Sequence, residues 1–401
     1  MFKQIKPTTV AVSVLVLLVV LFSKCINNTS FESVDVRGGL YAGSQTCSSC
    51  HKNISNSWSH TAHFRSSGLI KQLPQTWFTE NNFQFNDSVK VLVVKTDSGI
   101  VQAEYLNGKA VLAKPFQLKI GSGDQAASFG YWSNGKVYQL PLTYFASVHG
   151  WANSPGFPSS EPYFYRTILI GCFECHASFA LEAADQKEGL NSLGIISSSI
   201  IYGIDCERCH GPAADHVRFH RQNPSEKLPK YITTWKSLSR QQKLDACAVC
   251  HSGNDRALQN STFEFKPGDT LAHYYFPFSS ESSEPDVHGK QMQLLAASRC
   301  FQMSQNMECS TCHSQHQSSS RDAAVLSAPC RNCHNQGPHV DCPVASEVSS
   351  PLNNNCINCH MPPLPSKKIN IQLETHQVAK EYLLRTHRIA IYPEESQKIL
   401  Q

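Results

Sequence analysis

The pattern Cys-x-x-Cys-His occurs seven times in this chain of 401 residues, and it constrains the fold more than any other feature. We number the occurrences in chain order: motif 1 (Cys47, Cys50, His51), motif 2 (Cys172, Cys175, His176), motif 3 (Cys206, Cys209, His210), motif 4 (Cys247, Cys250, His251), motif 5 (Cys309, Cys312, His313), motif 6 (Cys330, Cys333, His334) and motif 7 (Cys356, Cys359, His360). Two thiols three residues apart can each form a thioether with a haem vinyl group, and the adjacent histidine can ligate the iron. The motifs therefore predict covalently attached c-type haem.

A single motif of this kind could also be half of a zinc site or a redox-active cysteine pair. Histidine makes up only 18 of the 401 residues, yet it follows all seven cysteine pairs. A zinc ribbon needs no histidine at that position. The repetition therefore favours seven covalent haems, with the motif cysteines as attachment residues and the motif histidines as proximal iron ligands.

So many cofactors change what the chain has to bury. Porphyrin would supply much of the apolar surface that side chains supply in an ordinary core, and iron ligation would contribute to folding. We therefore expect a mainly α fold with much irregular structure, wrapped around seven haems. Apolar runs near 89–94 and 135–140, with Asn-Gly turns at 107–108 and 134–135, predict in addition a small antiparallel β insertion near the N-terminus.

The chain divides by composition and motif spacing. Residues 1–25 have the pattern of a signal peptide or a lipoprotein signal and anchor, because Lys3 and Lys6 precede an apolar run from Val10 to Phe22 that is short for a membrane span. The other predicted parts are a linker (26–39), a first haem segment (40–75), a β-hairpin insertion (76–148), a haem-binding domain with six motifs (149–365) and a C-terminal tail that returns a distal histidine (366–401).

Export agrees with the attachment chemistry, since c-type haem is attached outside the bacterial cytoplasm. We expect a protein of the periplasm, or one attached to a membrane and facing the periplasm or the cell surface. Cys25 could be the lipidated first residue of a mature lipoprotein, while an uncleaved anchor and an ordinary cleaved signal are the alternatives.

The formal net charge of +4 is mildly basic. Each haem would add two propionates, which reverses that sign. The sequence has no dense run of lysine or arginine, so nucleic-acid binding is not expected. The expected partners are redox proteins of unknown identity.

Segments between Tyr41 and Pro393 resemble the multihaem cytochromes c related to the tetrahaem electron carrier of ammonia oxidisers and, more distantly, to hydroxylamine oxidoreductase. The matching pieces are Trp58 with His63, 120–123, 153–156, 206–212 with His216, 309–316, 359–362 and 386–389. The group includes both electron carriers and catalysts, so the resemblance is more specific for the fold than for the reaction.

The resemblance also implies a set of distal iron ligands. They are His63, His216, His288, His316, His339 and His387. The histidines interpreted as surface residues or propionate donors are His60, His149, His220, His273 and His376. Six distal ligands for seven irons leave one haem five-coordinate, and the resemblance places it at motif 2. It further implies a structural disulfide between Cys300 and Cys342.

Bis-histidine ligation leaves no open iron position for a substrate, as is usual for electron-transfer haems. The leading interpretation is an exported protein that transfers electrons through a chain of mostly bis-histidine haems and has no catalytic residue. One alternative is an oxidoreductase acting on a small nitrogen or sulfur compound at one five-coordinate haem. Another is a haem subunit of a membrane-bound respiratory complex. The sequence has no Cys-x-x-Cys-Lys motif, which would suggest a nitrite reductase.

Overall fold

The computed structural model describes residues 35–78, 82–183, 194–253, 255–276, 285–334, 355–373 and 379–400. The predicted signal region with Cys25, and also His339, Cys342 and His376, lie outside these ranges. Within the described ranges, no helix has the length and apolarity needed to cross a bilayer.

The helices are short, and most of them carry an attachment motif. Their bounds are α1 (Ser44–Cys50), α2 (Lys52–Trp58), α3 (Ile170–His176), α4 (Cys206–His210), α5 (Ala214–Gln222), α6 (Arg240–His251), α7 (Gln291–Ala296), α8 (Arg299–Met303), α9 (Ala323–His334), α10 (Cys356–His360) and α11 (Pro393–Leu400). Turns of 3₁₀ helix lie at Gln75–Phe78, Ala146–Val148, Ser197–Ser199, Trp235–Ser237, Thr262–Glu264, Leu271–Tyr274 and Cys309–Thr311.

The strands pair antiparallel. Their bounds are β1 (Ser67–Leu69), β2 (Asn82–Gln84), β3 (Val89–Thr96), β4 (Gly99–Leu106), β5 (Lys109–Pro115), β6 (Leu118–Ile120), β7 (Ala126–Ser133), β8 (Lys136–Gln139), β9 (Leu142–Phe145), β10 (Gly150–Asn153), β11 (Arg166–Thr167), β12 (Ala177–Phe179), β13 (Ile201–Tyr202), β14 (Pro363–Ile371) and β15 (Lys380–Arg385). A four-stranded sheet has the order β2-β3-β4-β5. A seven-stranded sheet follows β1-β6-β7-β8-β11, with β9 paired to β7 and β10 to β9. Two small sheets pair β12 with β13 and β14 with β15.

The expectation of a mainly α fold is wrong. The structure is 33% helical and 25% strand, with several antiparallel sheets, so the β structure is not a small insertion. Val91 and Val93 in β3 are buried while their neighbours are more accessible, which is the period of two that gives a sheet one apolar face. Strands of two to four residues such as β6, β9 and β11 contain too few positions for this alternation to be recognised in a sequence.

Two hairpins of the sheets close on Asn-Gly turns. Asn107 and Gly108 have φ of 49° and 78° between β4 and β5, and Asn134 and Gly135 have φ of 49° and 72° between β7 and β8. Positive φ at both central residues defines the turn whose twist matches that of paired strands. Asparagine and glycine are the residues that adopt this conformation most readily.

The two large sheets pack around a core of aromatic side chains. Trp77 stacks on Tyr144 with ring centroids 4.0 Å apart, and Trp151 lies 5.4 Å from Phe129. The indole N–H of Trp151 donates to the backbone carbonyl of Trp77 at 2.7 Å. Aromatic pairs add about 0.5–1.5 kcal/mol beyond the area that they bury. This part of the chain therefore has an apolar core that does not depend on porphyrin.

Strand β1 joins the seven-stranded sheet to motifs 2 and 3. The Ser67 hydroxyl donates to the carbonyl oxygen of His176 at 2.6 Å and accepts from the N–H of Gly203 at 3.0 Å. The N–H of Ile204 donates to the carbonyl oxygen of His63 at 2.9 Å. These bonds fix motif 2, the residues before motif 3 and the segment of His63 against one edge of the sheet.

We expect Gly203→Ala to destabilise the protein strongly. An added Cβ would lie 2.1 Å from the carbonyl oxygen of Phe64, and Gly203 has a φ of +71°. Gly108→Ala is the matched control, because its φ is +78° but its Cβ would meet nothing within 4 Å. The free energy of unfolding should fall by about 1 kcal/mol in the control, from its left-handed backbone alone, and by at least about 3 kcal/mol in Gly203→Ala. Urea unfolding followed by circular dichroism measures both values. Equal losses would contradict the close approach.

Candidate haem sites

Most motifs lie at the end of a short helix. α3, α4, α6, α9 and α10 each end at the histidine of motifs 2, 3, 4, 6 and 7, while α1 ends at Cys50 and the turn Cys309–Thr311 carries motif 5. Residues i, i+3 and i+4 of a helical turn share one face. The two thiols and the imidazole of a motif therefore point to the same side, where a flat cofactor can be attached along one edge.

Capping side chains start two of these motif helices. The Asp205 carboxylate accepts from the N–H of Arg208 at 2.9 Å at the start of α4. Ser239 and Gln242 form a reciprocal capping box at the start of α6. Each cap satisfies backbone N–H groups that have no partner within the helix.

Four motif histidines face a second histidine across a gap of nearly constant width. The ring centroids are 6.0 to 6.4 Å apart in the pairs His51–His216, His63–His251, His210–His316 and His313–His387. A metal–nitrogen bond is about 2 Å long and a ring nitrogen lies about 1 Å from its ring centre, so imidazoles on opposite sides of one metal have centroids about 6 Å apart. Each gap therefore fits one iron atom.

Several histidines have a backbone carbonyl at Nδ1. The distances from Nδ1 to the carbonyl oxygen are 2.9 Å (His210 to Thr233), 2.8 Å (His216 to Lys230), 2.9 Å (His360 to Ala390) and 3.3 Å (His176 to Ser66). An imidazole that donates from Nδ1 keeps Nε2 unprotonated and able to bind a metal. The surrounding backbone thus favours the tautomer that iron ligation through Nε2 requires.

Two of the paired rings are surrounded by many protein atoms. His63 and His251 are accessible to solvent, yet burial among protein atoms, together with His251 and His313, lowers the pKa of His63 to about 4. Burial and the nearby His313 and His251 likewise lower the pKa of His387 to about 4. These residues also show that the pairs of motifs 4 and 5 are neighbours.

Cysteines of different motifs contact each other in four places. The pairs are Cys47–Cys206, Cys175–Cys250, Cys247–Cys309 and Cys330–Cys356. The contact with Cys206, together with burial, raises the pKa of the Cys47 thiol. No disulfide is found among the cysteines that the structure describes, so both thiols of every contact are available for thioethers. The attachment points of motifs 1 and 3, 2 and 4, 4 and 5, and 6 and 7 thus lie side by side.

The second cysteines of motifs 6 and 7 lie on the same helical turns as their histidines. Cys333 precedes His334 at the end of α9 and is exposed, whereas Cys359 precedes His360 at the end of α10 and is half-buried. Both are free thiols in the structure, as attachment requires. Cys333 is also an electrostatic neighbour of Cys300, whose pKa is raised chiefly by burial. Haem attachment through Cys333 and Cys359 stays a prediction that this placement allows.

The structure does not pair every motif histidine. In the described part of the chain, His176 and His360 make no ring contact with a second histidine. His288 is an electrostatic neighbour of His176, whose pKa is lowered chiefly by burial. The predicted ligand His339 and the predicted disulfide partner Cys342 lie outside the described residues, so both assignments remain predictions.

Sequence reasoning did not find which distal histidine faces which motif. His51 and His216, or His63 and His251, are far apart in the chain, and no local pattern links them. Nor did it find the contacts between thiols of different motifs.

His220, which the sequence analysis interpreted as a non-ligand, packs against His216 with ring centroids 4.6 Å apart.

The comparisons with known proteins point to one class. The family model described as "Cytochrome c554 and c-prime" matches residues 46–90. The chain is 26% identical over 198 residues to the multiheme cytochrome MtrA of Shewanella baltica (strain OS185), covering 47% of this chain and 51% of MtrA. It thus spans about half the length of this curated relative. The crystal structure of the outer cell wall cytochrome OcwA has a similar fold, with a TM-score of 0.50, 14% identity and coverage of 90% of this chain and 82% of OcwA.

These matches, together with the repeated motifs, support the predicted class, a multihaem c-type cytochrome. A cytochrome of this class carries covalently bound c-type haem with iron. The arrangement of thiols and imidazoles fits that cofactor.

We expect His216→Ala to convert one haem per chain from low-spin to high-spin iron, because His216 is the ring that faces His51 across the gap. Low-temperature EPR and the absorption spectrum of the ferric holoprotein measure this change. His273→Ala, which removes an exposed histidine, is the control and should leave the spectrum unchanged. An unaltered low-spin spectrum of His216→Ala would contradict the pairing.

Proposed function

We propose that the protein is an exported electron carrier that holds seven c-type haems, most of them ligated by two histidines. The observation that supports this best is the set of four histidine pairs with centroids 6.0 to 6.4 Å apart. A c-type haem, when bound, supplies a one-electron redox centre. An imidazole on each side of the iron leaves no position for a substrate, so these residues favour electron transfer over substrate turnover.

The contacts between motifs support a continuous path across the protein. Thiol contacts join motif 1 to 3, 2 to 4, 4 to 5, and 6 to 7. Cys209 of motif 3 is an electrostatic neighbour of Cys250 of motif 4, and Cys330 of motif 6 is one of Cys312 of motif 5. The attachment sites therefore follow the order 1-3-4-5-6-7, with motif 2 branching from motif 4. Such an order suits the passage of electrons from one end of the chain of haems to the other.

Export to the periplasm or the cell surface is part of the proposal. The basic start and apolar run of residues 1–25 support it, as does the fold shared with a cytochrome that is named for the outer cell wall. Soluble or membrane-bound redox proteins are the expected partners, and the N-terminus, with Cys25, is the expected point of any membrane attachment.

A second candidate function rests on motif 2. His176, like His360, makes no ring contact with another histidine of the described residues, and its Nδ1 is held by the carbonyl oxygen of Ser66. An iron bound there through His176, without ligation by the neighbouring His288, would have one open face. That site would suit the reduction or oxidation of a small nitrogen or sulfur compound, with the other haems as electron reservoir.

Haem content and spin state, measured on one sample, test both functions. Pyridine haemochrome analysis and intact mass should give seven haems per chain, because every motif presents both thiols and a histidine. Low-temperature EPR should show low-spin iron at all or all but one of them. Fewer haems, or high-spin iron at several sites, would contradict the carrier. A high-spin signal that integrates to one haem and changes with nitrite, hydroxylamine or cyanide would support the second function.

A further inference from the structure

A buried cluster of charges lies between motifs 1 and 3. It consists of Asp35, Arg37, Asp205 and Glu207, and we call it the Arg37 cluster. The side chains are only 7%, 4%, 5% and 1% exposed, respectively. Charged groups are rarely buried to this degree unless they are paired.

One guanidinium holds the three carboxylates together. Nε of Arg37 donates to Asp35 Oδ1 at 2.9 Å, and Nη2 donates to Asp205 Oδ2 at 2.7 Å and to Glu207 Oε2 at 3.1 Å. The ring of Tyr41 lies 4.2 Å from the guanidinium carbon. These bonds join a segment before motif 1 to the two residues that flank Cys206 of motif 3.

Glu207 also holds the start of motif 1. Its carboxylate accepts from the N–H groups of Ala42, Gly43 and Ala213, each at 2.8 Å. Helix α1 begins directly after Gly43 and carries Cys47, which contacts Cys206. One carboxylate therefore ties both attachment helices to each other.

The carboxylates outnumber the cation in this cluster by three to one. The guanidinium of Arg208 is nearby in sequence, but its Nη1 donates to the carbonyl oxygen of Thr262 at 2.6 Å. The fields of Glu207 and Asp205 reach the Cys47 thiol and contribute to raising its pKa. Buried charge acts through a medium of low dielectric constant, so it is screened much less than charge at the surface.

We propose that the Arg37 cluster is a positioning and tuning device for the haem pair of motifs 1 and 3, and that its net negative charge lowers the reduction potentials of these two haems. Ferric haem carries one more positive charge than ferrous haem, so buried negative charge stabilises the oxidised state. This inference rests on the proposed function only in requiring haem at these two motifs.

Ring orientation gives the two haems a spectroscopic signature. The paired rings are nearly parallel at motif 1 (18°) and motif 3 (8°), but nearly perpendicular for His63 and His251 at motif 4 (77°). Parallel imidazoles split the iron d orbitals unequally and give rhombic EPR signals, whereas perpendicular rings give signals with one very large g value. An EPR-monitored redox titration can therefore follow motifs 1 and 3 separately from motif 4. The pair of motif 5 is tilted by 32°, so the rhombic signals of motifs 1 and 3 are identified by their loss in His216→Ala and His316→Ala, respectively.

The test uses two substitutions that remove opposite charges. Glu207→Gln should raise the potentials of the rhombic signals, and Arg37→Gln should lower them. The reduction potential of the large-g signal of motif 4 should change less in both variants. Glu395→Gln is the control, because Glu395 forms a surface ion pair with Lys398 on α11, and it should leave all the reduction potentials unchanged. Shifts in the same direction for both variants would show a purely structural role and overturn the proposal.

A further variant separates tuning from haem attachment. Glu207→Gln alters the bonds to residues 42, 43 and 213, so it could impair haem incorporation. Asp35→Asn removes the same charge without touching them and should also raise the potentials of the rhombic signals. Haem content is measured in every sample. A wild type that lacks haem at motifs 1 and 3 would contradict the proposed function, whereas full haem content with unmoved potentials in all variants would overturn only the tuning.

Discussion

Facing imidazoles from distant parts of the chain set the geometry on which the haem-binding part depends. Each of the four pairs leaves a gap that fits a single iron atom, and each joins two segments that are far apart in sequence. Because an assembled site does not exist in the unfolded chain, iron ligation by these pairs would contribute directly to folding. The short helices around the motifs need this contribution, since isolated helices of fewer than about 12 residues are marginal in water.

Buried polar groups hold these segments in register. Arg385 donates to the carbonyl oxygens of Ile357 and Met361, each at 2.8 Å, so it ties motif 7 to the segment that carries His387. Arg208 connects motif 3 to Thr262 in the same way. Truncating one partner of such a buried bond leaves the other unsatisfied, which costs about 1–3 kcal/mol. Residues between and beside the motif cysteines therefore stabilise the structure in a way that the motif pattern itself does not reveal.

The sheets are stabilised by side-chain packing rather than by iron ligation. Trp77, Phe129, Tyr144 and Trp151 form contacts that require no cofactor. The sheets and the motifs meet at β1, where Ser67 bonds to the backbone of His176 and Gly203. A stable β core can thus serve as a fixed support against which motifs 2 and 3 are placed.

Covalent attachment chemistry is local, so the sequence by itself determined the candidate sites. Two cysteines and a histidine within five residues mark each candidate haem site, and their repetition predicts the class of protein that the comparisons support. The Asn-Gly turns are local for the same reason, since two residues define the backbone angles. The extent of the β structure was underestimated, because short strands gain their stability from partners that are distant in sequence. Only the tertiary structure decided which imidazoles face each other, which thiols touch, and that Asp205 and Glu207 share one guanidinium with Asp35, because each of these contacts joins residues that folding alone brings together.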